Sequence, residues 1–293
     1  MVLKVFIVLF LSLVFWSCNL LDDKEGKKSS KQMTYSYACL DSAVSGSRWS
    51  KTLGKAGDII SDIAVNEKSI TDEVQSQWGA AFHKDAVANK TFNLINNTQL
   101  QAQLDKVLKD LLDAREDASN IQYAIYAIED TAVNAFTFGG RIYVTRAMLK
   151  KCEGKTPLLY SIIGHEIGHS EKGHIKKTIQ QMELSNKIFG EQGGALFFQV
   201  QKLLTGSFNQ KNELEADFYG TDLSYRLDQD ICSAVQFWKE MASKENSYNK
   251  VEDFFRTHPF SSLRAECLEN HIRTNFDRNC NAIKKSETLP QVQ

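Results

Sequence analysis

The chain has 293 residues, of which 42% are hydrophobic and 24% are charged, and its formal net charge is −1. This composition is typical of a globular protein and excludes a disordered or fibrous chain. The nearly balanced charge gives no electrostatic sign of a nucleic-acid binder, so we expect no nucleic-acid partner.

The first 17 residues have the pattern of a secretory signal. Lys4 is followed by about a dozen apolar residues, a run too short to cross a bilayer as a helix. The run ends in Ser17-Cys18, and this resembles a bacterial lipoprotein signal, in which such a Cys is lipidated and becomes the mature N-terminus. The resemblance implies a signal peptide at 1–17, a lipidated Cys18 with a flexible tether at 18–33, and a lipid-anchored protein of the bacterial cell envelope that faces the periplasm. A plain cleaved signal, which gives a soluble periplasmic or secreted protein, and a short uncleaved anchor are the alternatives.

Six cysteines are present, and none forms a C-x-x-C pair, which argues against a cysteine-type metal site. If Cys18 carries lipid, five cysteines remain and at least one of them is unpaired. One or two disulfides are expected in an oxidising compartment. Cys267 and Cys280 are the nearest candidate pair, although the connectivity cannot be deduced from sequence.

The first half of the chain is predicted to form helices followed by a small sheet. Only three prolines occur, and apolar residues at three- and four-residue spacing predict helices between 40 and 119, one of them capped by Asn97. Gly139-Gly140 indicates a hairpin turn or a bulge, and a short helix follows at 147–151. Segments rich in β-branched and aromatic residues predict three strands: 121–128, 133–138 and 141–145.

The second half is predicted to be helical. Thr156 and Pro157 predict a helix start, with Thr as the N-cap and Pro at the first helical position. An apolar stripe buries this helix as far as about His174. Further helices are predicted over 175–205 and 210–225, and then in the remaining chain. The expected fold is therefore α+β and mostly helical, with a small β-sheet in a single domain.

The strongest chemical signal is the H-E-x-x-H motif on this helix, His165-Glu166-Ile167-Gly168-His169. Two His at i and i+4 lie one turn apart on the same face, so both imidazoles can reach one Zn²⁺ at ~2.0–2.1 Å. The carboxylate of Glu166 lies beside them, where it can take a proton from water on the metal. The alternative is a helix with two solvated His, which the surrounding apolar stripe disfavours.

Zinc in a catalytic site needs a third protein ligand. His174 is close in sequence, but five residues after His169 it points to another face of a continuous helix, so we expect it to be structural or on the surface. Glu213 and Asp217 are better candidates, because at i and i+4 they share a helical face. One can bind the metal while the other accepts a hydrogen bond from a ligand His. Glu215 is a rival to Glu213 on the far side of that helix, and a solvated acidic face is the alternative to both.

Together these motifs resemble the gluzincin family of zinc metallopeptidases that contains HtpX, BepA and the CAAX prenyl protease. Four segments carry the resemblance in the expected order: Asn134-Ala135-Phe136 with Gly139-Gly140, H-E-x-x-H at 165–169, E-x-x-A-D at 213–217, and Thr257-His258-Pro259 with Arg264. Because no second apolar segment of ~18 residues occurs, the soluble, envelope-facing BepA-like subgroup is the more similar one. The resemblance implies a single zincin-type metallopeptidase domain at 34–285, with a small β-sheet and edge strand packed on the active-site helix, and a tail at 286–293.

The resemblance also implies a role for each matched residue. One Zn²⁺ per chain would be bound by His165, His169 and Glu213. Glu166 would act as base and then as acid to the leaving amine, and Asp217 would hold a ligand His. An extended peptide would add to an edge strand formed by Asn134, Ala135, Phe136, Gly139 and Gly140. Two more residues, His258 and Arg264, would lie near the metal and offer positive charge to the tetrahedral oxyanion. His258 could instead cap the metal in a latent state.

The function predicted from these residues and from the resemblance is a zinc-dependent metalloendopeptidase of unfolded or misassembled cell-envelope proteins. A strand-addition groove predicts broad specificity, because main-chain hydrogen bonds carry no sequence information. The competing prediction is a catalytically latent zinc-binding holdase or assembly factor of the envelope, which keeps the fold but rarely cuts. The expected partners are unfolded or extended polypeptides and, through the lipid anchor, a membrane; no oligomeric state is predicted.

Overall fold

The computed structural model describes residues 33–40, 70–189, 200, 208–242, 258 and 262–280. From Thr34 onward these residues belong to one compact unit. The predicted signal peptide, Cys18 and the predicted tail lie outside the described residues. Within the described ranges, no helix is both long enough and apolar enough to cross a bilayer.

Over the described residues the fold is mostly helical with one three-stranded sheet, as the sequence predicts. The strands and most helix starts fall within a few residues of their predicted positions. In chain order the elements are α1 (Asp72–Ala88), α2 (Thr98–Asp113), β1 (Ala124–Ile128), β2 (Ala135–Phe138), β3 (Arg141–Thr145), α3 (Arg146–Cys152), α4 (Thr156–Glu171), α5 (His174–Phe189), α6 (Gln210–Arg226), α7 (Cys232–Ala242) and α8 (Ser262–Phe276).

Of the two predicted helix caps, the structure confirms the one at Asn97 and contradicts the one at Thr156. α2 is capped as expected by Asn97, whose side chain accepts a hydrogen bond from the backbone N–H of Leu100. The predicted Thr156 cap of α4 is wrong, because the helix already begins at Thr156; Lys155 is the N-cap and makes no side-chain capping bond. Pro157 still favours this start, because its φ is fixed near the helical value and it has no N–H to satisfy in the first turn.

The sheet has the order β1-β3-β2, with β1 parallel and β2 antiparallel to β3, so β2 is an edge strand. Gly139 and Gly140 form the turn between β2 and β3 at φ of 59° and 82°, which confirms the predicted hairpin, since glycine adopts these angles without steric cost. α1 packs directly on the turn: a Cβ added at Gly79 would lie 2.2 Å from the carbonyl oxygen of Gly139. This contact fixes the hairpin against α1.

α4 is buried along almost its whole length, and small residues set its distance from α6. A Cβ added at Gly164 would lie 2.9 Å from the Cα of Gly220. One turn later, a Cβ added at Gly168 would lie 2.9 Å from the Cα of Ala216. No side chain separates the two helices at these points, so the H-E-x-x-H turn of α4 lies directly against the acidic face of α6.

The described cysteines form two disulfides and leave one buried free thiol: Cys39–Cys267, Cys232–Cys280 and Cys152. The candidate pair Cys267–Cys280 is therefore wrong. Cys267 lies inside α8 and Cys280 lies beyond its end, and the helical stretch from Cys267 to Phe276 alone spans ~13 Å. A disulfide needs Cα atoms within ~7 Å. Each of the two cysteines is instead bonded to a different element, the segment 33–40 in one case and the start of α7 in the other.

Candidate metal centre

Four buried side chains from three parts of the chain converge on one point. α4 supplies His165 and His169, and α6 supplies Glu213. The fourth residue, His258, comes after α7 and before α8 in the sequence. One ligand atom from each residue lies within 4.8 Å of the others. The two α4 histidines point the same way because positions i and i+4 share a helical face. Glu213 reaches them because α4 and α6 approach closely.

Each α4 histidine is held through its Nδ1 atom. His165 Nδ1 lies 2.8 Å from Asp217 Oδ1, and His169 Nδ1 lies 3.0 Å from His174 Nδ1. The two Nε2 atoms face each other at 3.0 Å, with oxygens of Glu213 at 3.5 and 3.4 Å. Only a positive charge among these lone pairs, a proton or a metal ion, makes such an arrangement favourable.

The cluster fits a zinc ion. Ligand atoms at ~2.0–2.1 Å from a tetrahedral zinc are about 3.3 Å from one another, and five ligand-atom pairs of this cluster are separated by 3.0 to 3.5 Å. Glu213 Oε1 is buried and has no hydrogen-bond partner among the described residues, and a metal ion would satisfy it. Two imidazoles and a carboxylate are a donor set that catalytic zinc sites use. His165, His169 and Glu213 therefore fit their predicted role as ligands.

Buried charges make this point attractive to a cation. Burial alone lowers the pKa of His165, but hydrogen bonds to Asp217 and Glu213 outweigh it and raise that pKa to about 9. Burial disfavours the ionised form of Glu213, but the charges of His258 and Arg264 lower its pKa well below the usual value. The carboxylates thus stay ionised and favour a positive charge between the two α4 imidazoles.

Arg264 is fully buried and holds both acidic residues of this face of α6. Its Nη1 lies 2.8 Å from Glu213 Oε2, and its Nε and Nη2 lie 2.6 and 3.1 Å from the two carboxylate oxygens of Asp217. The guanidinium also lies over the ring of Trp238, 4.0 Å from its centroid, in a cation–π contact. Arg264 is therefore beside the ligands, and its charge is shared between two carboxylates.

His258 is placed as a fourth ligand. Its Nδ1 lies 3.3 Å from His165 Nε2 and 3.2 Å from Glu213 Oε2, and its Nε2 lies 3.0 Å from the carbonyl oxygen of Ala135 in β2. The Nε2–H therefore donates to the strand edge while Nδ1 faces the other ligands. A catalytic zinc site leaves one position open, so His258 in this place closes the site. Its sequence neighbours at 257 and 259 lie outside the described residues.

Glu166 lies next to the ligands. Its Oε1 is 3.5 Å from His258 Nε2, and its Oε2 is buried with no hydrogen-bond partner in the part of the chain that the structure describes. Burial raises the pKa of this carboxyl above its usual value. A carboxylate with a raised pKa and an oxygen without a partner is suited to accept a proton and return it.

The edge strand β2 reaches the metal cluster at Ala135. Asn134 O accepts a hydrogen bond from Thr145 N, and in an antiparallel pair the residues that bond to the neighbour alternate with residues whose backbone groups point outward. Ala135 and Thr137 are therefore the outward positions of β2. The contact between Ala135 O and His258 shows that this outer edge faces the ligands.

The other residues predicted to bind substrate are held by contacts within the sheet and with α1. Phe136 stacks on Tyr143 of β3, with ring centroids 4.9 Å apart. Gly139 and Gly140 lie in the hairpin turn, where Gly79 of α1 packs against the first of them. These positions fix the course of β2, whereas the contact with the ligand cluster is made at Ala135.

His174 and Glu215 make contacts near the ligand cluster that the sequence does not predict. The expectation of a continuous helix is wrong: α4 ends at Glu171, and Gly173 at φ 78° turns the chain before α5 begins at His174. His174 is buried and returns to His169 instead of pointing to another face. Glu215, considered only as a metal ligand, lies 3.0 Å from His174 through its Oε2. A glycine directly before a His at a helix end was the available signal.

The fold and the site define a metallopeptidase domain, with an H-E-x-x-H helix, a buried Glu on a second helix that faces it and an edge strand beside them. A family model described as Peptidase family M48 matches residues 98–272. This match covers more than half of the chain, and the chain belongs to this family. The predicted resemblance to this group of metallopeptidases is confirmed.

Several characterised proteins are similar to parts of the chain. It is 27% identical over 198 residues to Mitochondrial metalloendopeptidase OMA1 of Schizosaccharomyces pombe, which is 65% of this chain and 58% of that protein. It is 27% identical over 165 residues to Metalloprotease LoiP of Escherichia coli, with 52% and 62% covered. It is 22% identical over 199 residues to Beta-barrel assembly-enhancing protease of Yersinia pestis, with 58% and 39% covered. The chain thus spans less than two thirds of the length of each of these relatives.

Proposed function

We propose that this protein is a zinc-dependent endopeptidase that hydrolyses peptide bonds in unfolded or misassembled proteins of the cell envelope. One observation carries the proposal: His165, His169 and Glu213 converge on one point, and beside them Glu166 has a buried oxygen with no partner among the described residues. Three such ligands with an adjacent carboxylate are the set that metal-assisted hydrolysis requires.

The contacts of these residues support a distinct catalytic or structural role for each of them. A bound zinc ion supplies a Lewis acid and lowers the pKa of water. Glu166 accepts the proton of the attacking water and then returns it to the leaving amine nitrogen. Asp217 keeps Nδ1 of His165 protonated, so the Nε2 lone pair is directed to the metal. Arg264 keeps Asp217 and Glu213 in place by direct ion pairs.

The substrate class is inferred from the edge strand. An extended polypeptide would pair with the outward backbone groups of Ala135 and Thr137. These groups would recognise the main chain of the peptide more than its side chains. Both residues are buried, so a substrate strand reaches this edge only when side chains that cover it move away, His258 among them. Unfolded chains can supply the extended segment, whereas the folded interior of a protein cannot.

The envelope location is inferred from the Ser17-Cys18 pattern, which supports lipidation of Cys18 and attachment to a membrane. The pattern lies outside the described residues and is read from the sequence. The name of the Yersinia pestis relative connects that protein with β-barrel assembly, and this supports envelope proteins as substrates. Metabolic labelling with a radioactive or clickable fatty acid, compared between wild type and Cys18→Ala, tests the anchor.

A specific observation favours a second candidate function, a catalytically latent zinc-binding holdase or assembly factor. His258 closes the ligand set and covers the carbonyl oxygen of Ala135 at the same time. A protein that stays in this state would bind zinc and hydrolyse little. The two candidates share every ligand, so they differ only in whether His258 leaves its place.

The test measures zinc content and casein cleavage for wild type, Glu166→Gln and His258→Ala. One zinc per chain in all three supports the peptidase if wild type or His258→Ala cleaves casein and Glu166→Gln, introduced into whichever of them cleaves, lowers the rate by ~10²–10⁴-fold. Zinc without cleavage in any of them supports the holdase. Wild-type protein without zinc refutes both candidates.

A further inference from the structure

His174 belongs to a buried chain of hydrogen bonds that ends on the metal ligand His169. Gly173 turns the backbone at the end of α4, so the first residue of α5 faces back to α4. His174 Nδ1 lies 3.0 Å from His169 Nδ1, and His174 Nε2 lies 3.0 Å from Glu215 Oε2. Two consecutive side-chain hydrogen bonds therefore link the carboxylate of Glu215 to the imidazole of His174 and that imidazole to His169.

The role of His169 as a metal ligand fixes the positions of the protons in this series of hydrogen bonds. His169 Nε2 faces the ligand cluster, and it must present a lone pair to bind a cation, so the neutral ring carries its proton on Nδ1. His174 Nδ1 then accepts that hydrogen bond, because two nitrogens 3.0 Å apart share one proton. The proton of His174 is left on Nε2, where Glu215 Oε2 accepts it.

Packing holds both rings in this geometry. His169 and His174 are buried, and His169 stacks on Phe208 with centroids 4.3 Å apart and 23° between the planes. Thr178 Oγ1 donates to the backbone carbonyl oxygen of His174 at 3.1 Å. The second oxygen of Glu215 lies 3.9 Å from Lys211 Nζ, so the carboxylate is also in contact with a positive charge.

We propose that His174 and Glu215 are positioning residues that keep His169 protonated at Nδ1 and direct its Nε2 lone pair to the zinc. This inference rests on the zinc site of the proposed function. It gives α6 two orienting carboxylates: Asp217 acts directly on one ligand imidazole, and Glu215 acts on the other through an intervening imidazole. Losing a hydrogen-bond partner of a ligand His weakens metal binding.

The test compares zinc affinities of the full chain and its variants by competition with a chromophoric chelator. His174→Leu removes the acceptor and should weaken zinc binding by ~10–100-fold. His174→Asn keeps a side-chain acceptor near the Nδ1 position and should restore most of the affinity. Glu215→Gln keeps an acceptor without the charge and should weaken binding by less than His174→Leu.

His271 is a matched control within the same chain. It is buried, its Nε2 lies 2.8 Å from Asp222 Oδ1, and it stacks on Phe218 with centroids 4.2 Å apart. It resembles His174 in burial and in its carboxylate partner, but its bonds join α8 to another part of α6. His271→Leu should lower the Tm of the zinc-free protein and leave the zinc affinity of the folded protein unchanged.

Wild-type zinc affinity in both His174→Leu and Glu215→Gln would overturn the inference, and so would an equal loss in His271→Leu. If His174→Leu does not fold, His174→Asn and Glu215→Gln carry the comparison. Affinity is measured independently of cleavage. A protein that binds zinc but cleaves nothing therefore refutes the proposed function, while the comparison of variants still confirms or overturns the role of His174. Wild-type protein that does not bind zinc overturns both.

Discussion

His258 donates a hydrogen bond from Nε2 to the carbonyl oxygen of Ala135, at 3.0 Å. The same ring presents Nδ1 to the ligands on α4 and α6. One side chain thus occupies both the fourth ligand position and an outward acceptor of the edge strand. Moving His258 would therefore open the metal site and free the strand edge at the same time, and a peptide that paired with β2 at Ala135 would have to displace His258.

We expect His258→Ala to raise kcat/KM for casein several-fold, because the variant removes the side chain that closes the site and covers Ala135. Zinc should remain bound through three ligands with lower affinity. The measurement is casein hydrolysis of zinc-loaded protein, with the double variant that adds Glu166→Gln as the inactive control. A fall in kcat with an unchanged KM would contradict this expectation and assign His258 to stabilisation of the oxyanion.

Gly220→Ala should destabilise the fold by about 1–3 kcal/mol and also weaken zinc binding. Its Cβ would lie 2.6 Å from the backbone N of His165, so α4 and α6 must separate and carry their ligands apart. Gly79→Ala is the matched control, since its Cβ would meet the hairpin turn at 2.2 Å. Both variants should lower the Tm. A normal zinc affinity in folded Gly220→Ala would show that the helix crossing does not set the ligand geometry.

The contact of Asp72 with α5 should make stability depend on pH in the acid range. Burial raises the pKa of Asp72, but hydrogen bonds from Lys176 and from the backbone N–H of Asn120 outweigh it, and the net pKa is lowered. A carboxyl with a lowered folded pKa stabilises the fold above its unfolded pKa, and this stabilisation is lost as the pH falls through the folded value. The difference in unfolding free energy between wild type and Asp72→Asn, from urea titrations, should therefore be larger at pH 7 than at pH 3. An equal difference at both pH values would refute this linkage.

Cys152 should be chemically inert in the folded protein. It is buried, and burial raises the pKa of its thiol to about 12. At pH 8 roughly one thiol in ten thousand would then be ionised, and the thiolate is the reactive form. Iodoacetamide should leave Cys152 unmodified in native protein and modify it in denaturant without reductant, as read by peptide mass spectrometry. Rapid modification under native conditions would contradict its burial.

The parts of the site that were predictable from sequence are those that depend on local geometry or on a matched motif. His165 and His169 share a face because they are four residues apart on one helix, and this spacing is visible in the sequence. Glu213 and Asp217 are candidates for the same reason, since they are four residues apart on another helix, and the resemblance to a known family is what assigns the ligand role to Glu213. The distance between these pairs is set by Gly164 and Gly220, whose role as a contact emerges only when the two helices are placed together.

The parts that were not predictable depend on where the chain goes after an element ends. A continuous helix would place His174 on another face, but the backbone angle at Gly173 changes the direction of the chain. The disulfide pairing failed for a related reason, since Cys39 and Cys267 are 228 residues apart in sequence. Proximity in sequence favoured Cys280 as the partner, but the length of α8 keeps it away.

The Cys39–Cys267 bond determines where a pulling force on the N-terminal chain acts on the domain. It attaches the segment 33–40 covalently to α8, so a pull on the preceding chain is transmitted to that helix and does not peel the segment away. If Cys18 carries lipid, the distance from the lipid to the domain is limited by the chain between Cys18 and Met33, which even at full extension spans at most roughly 50 Å.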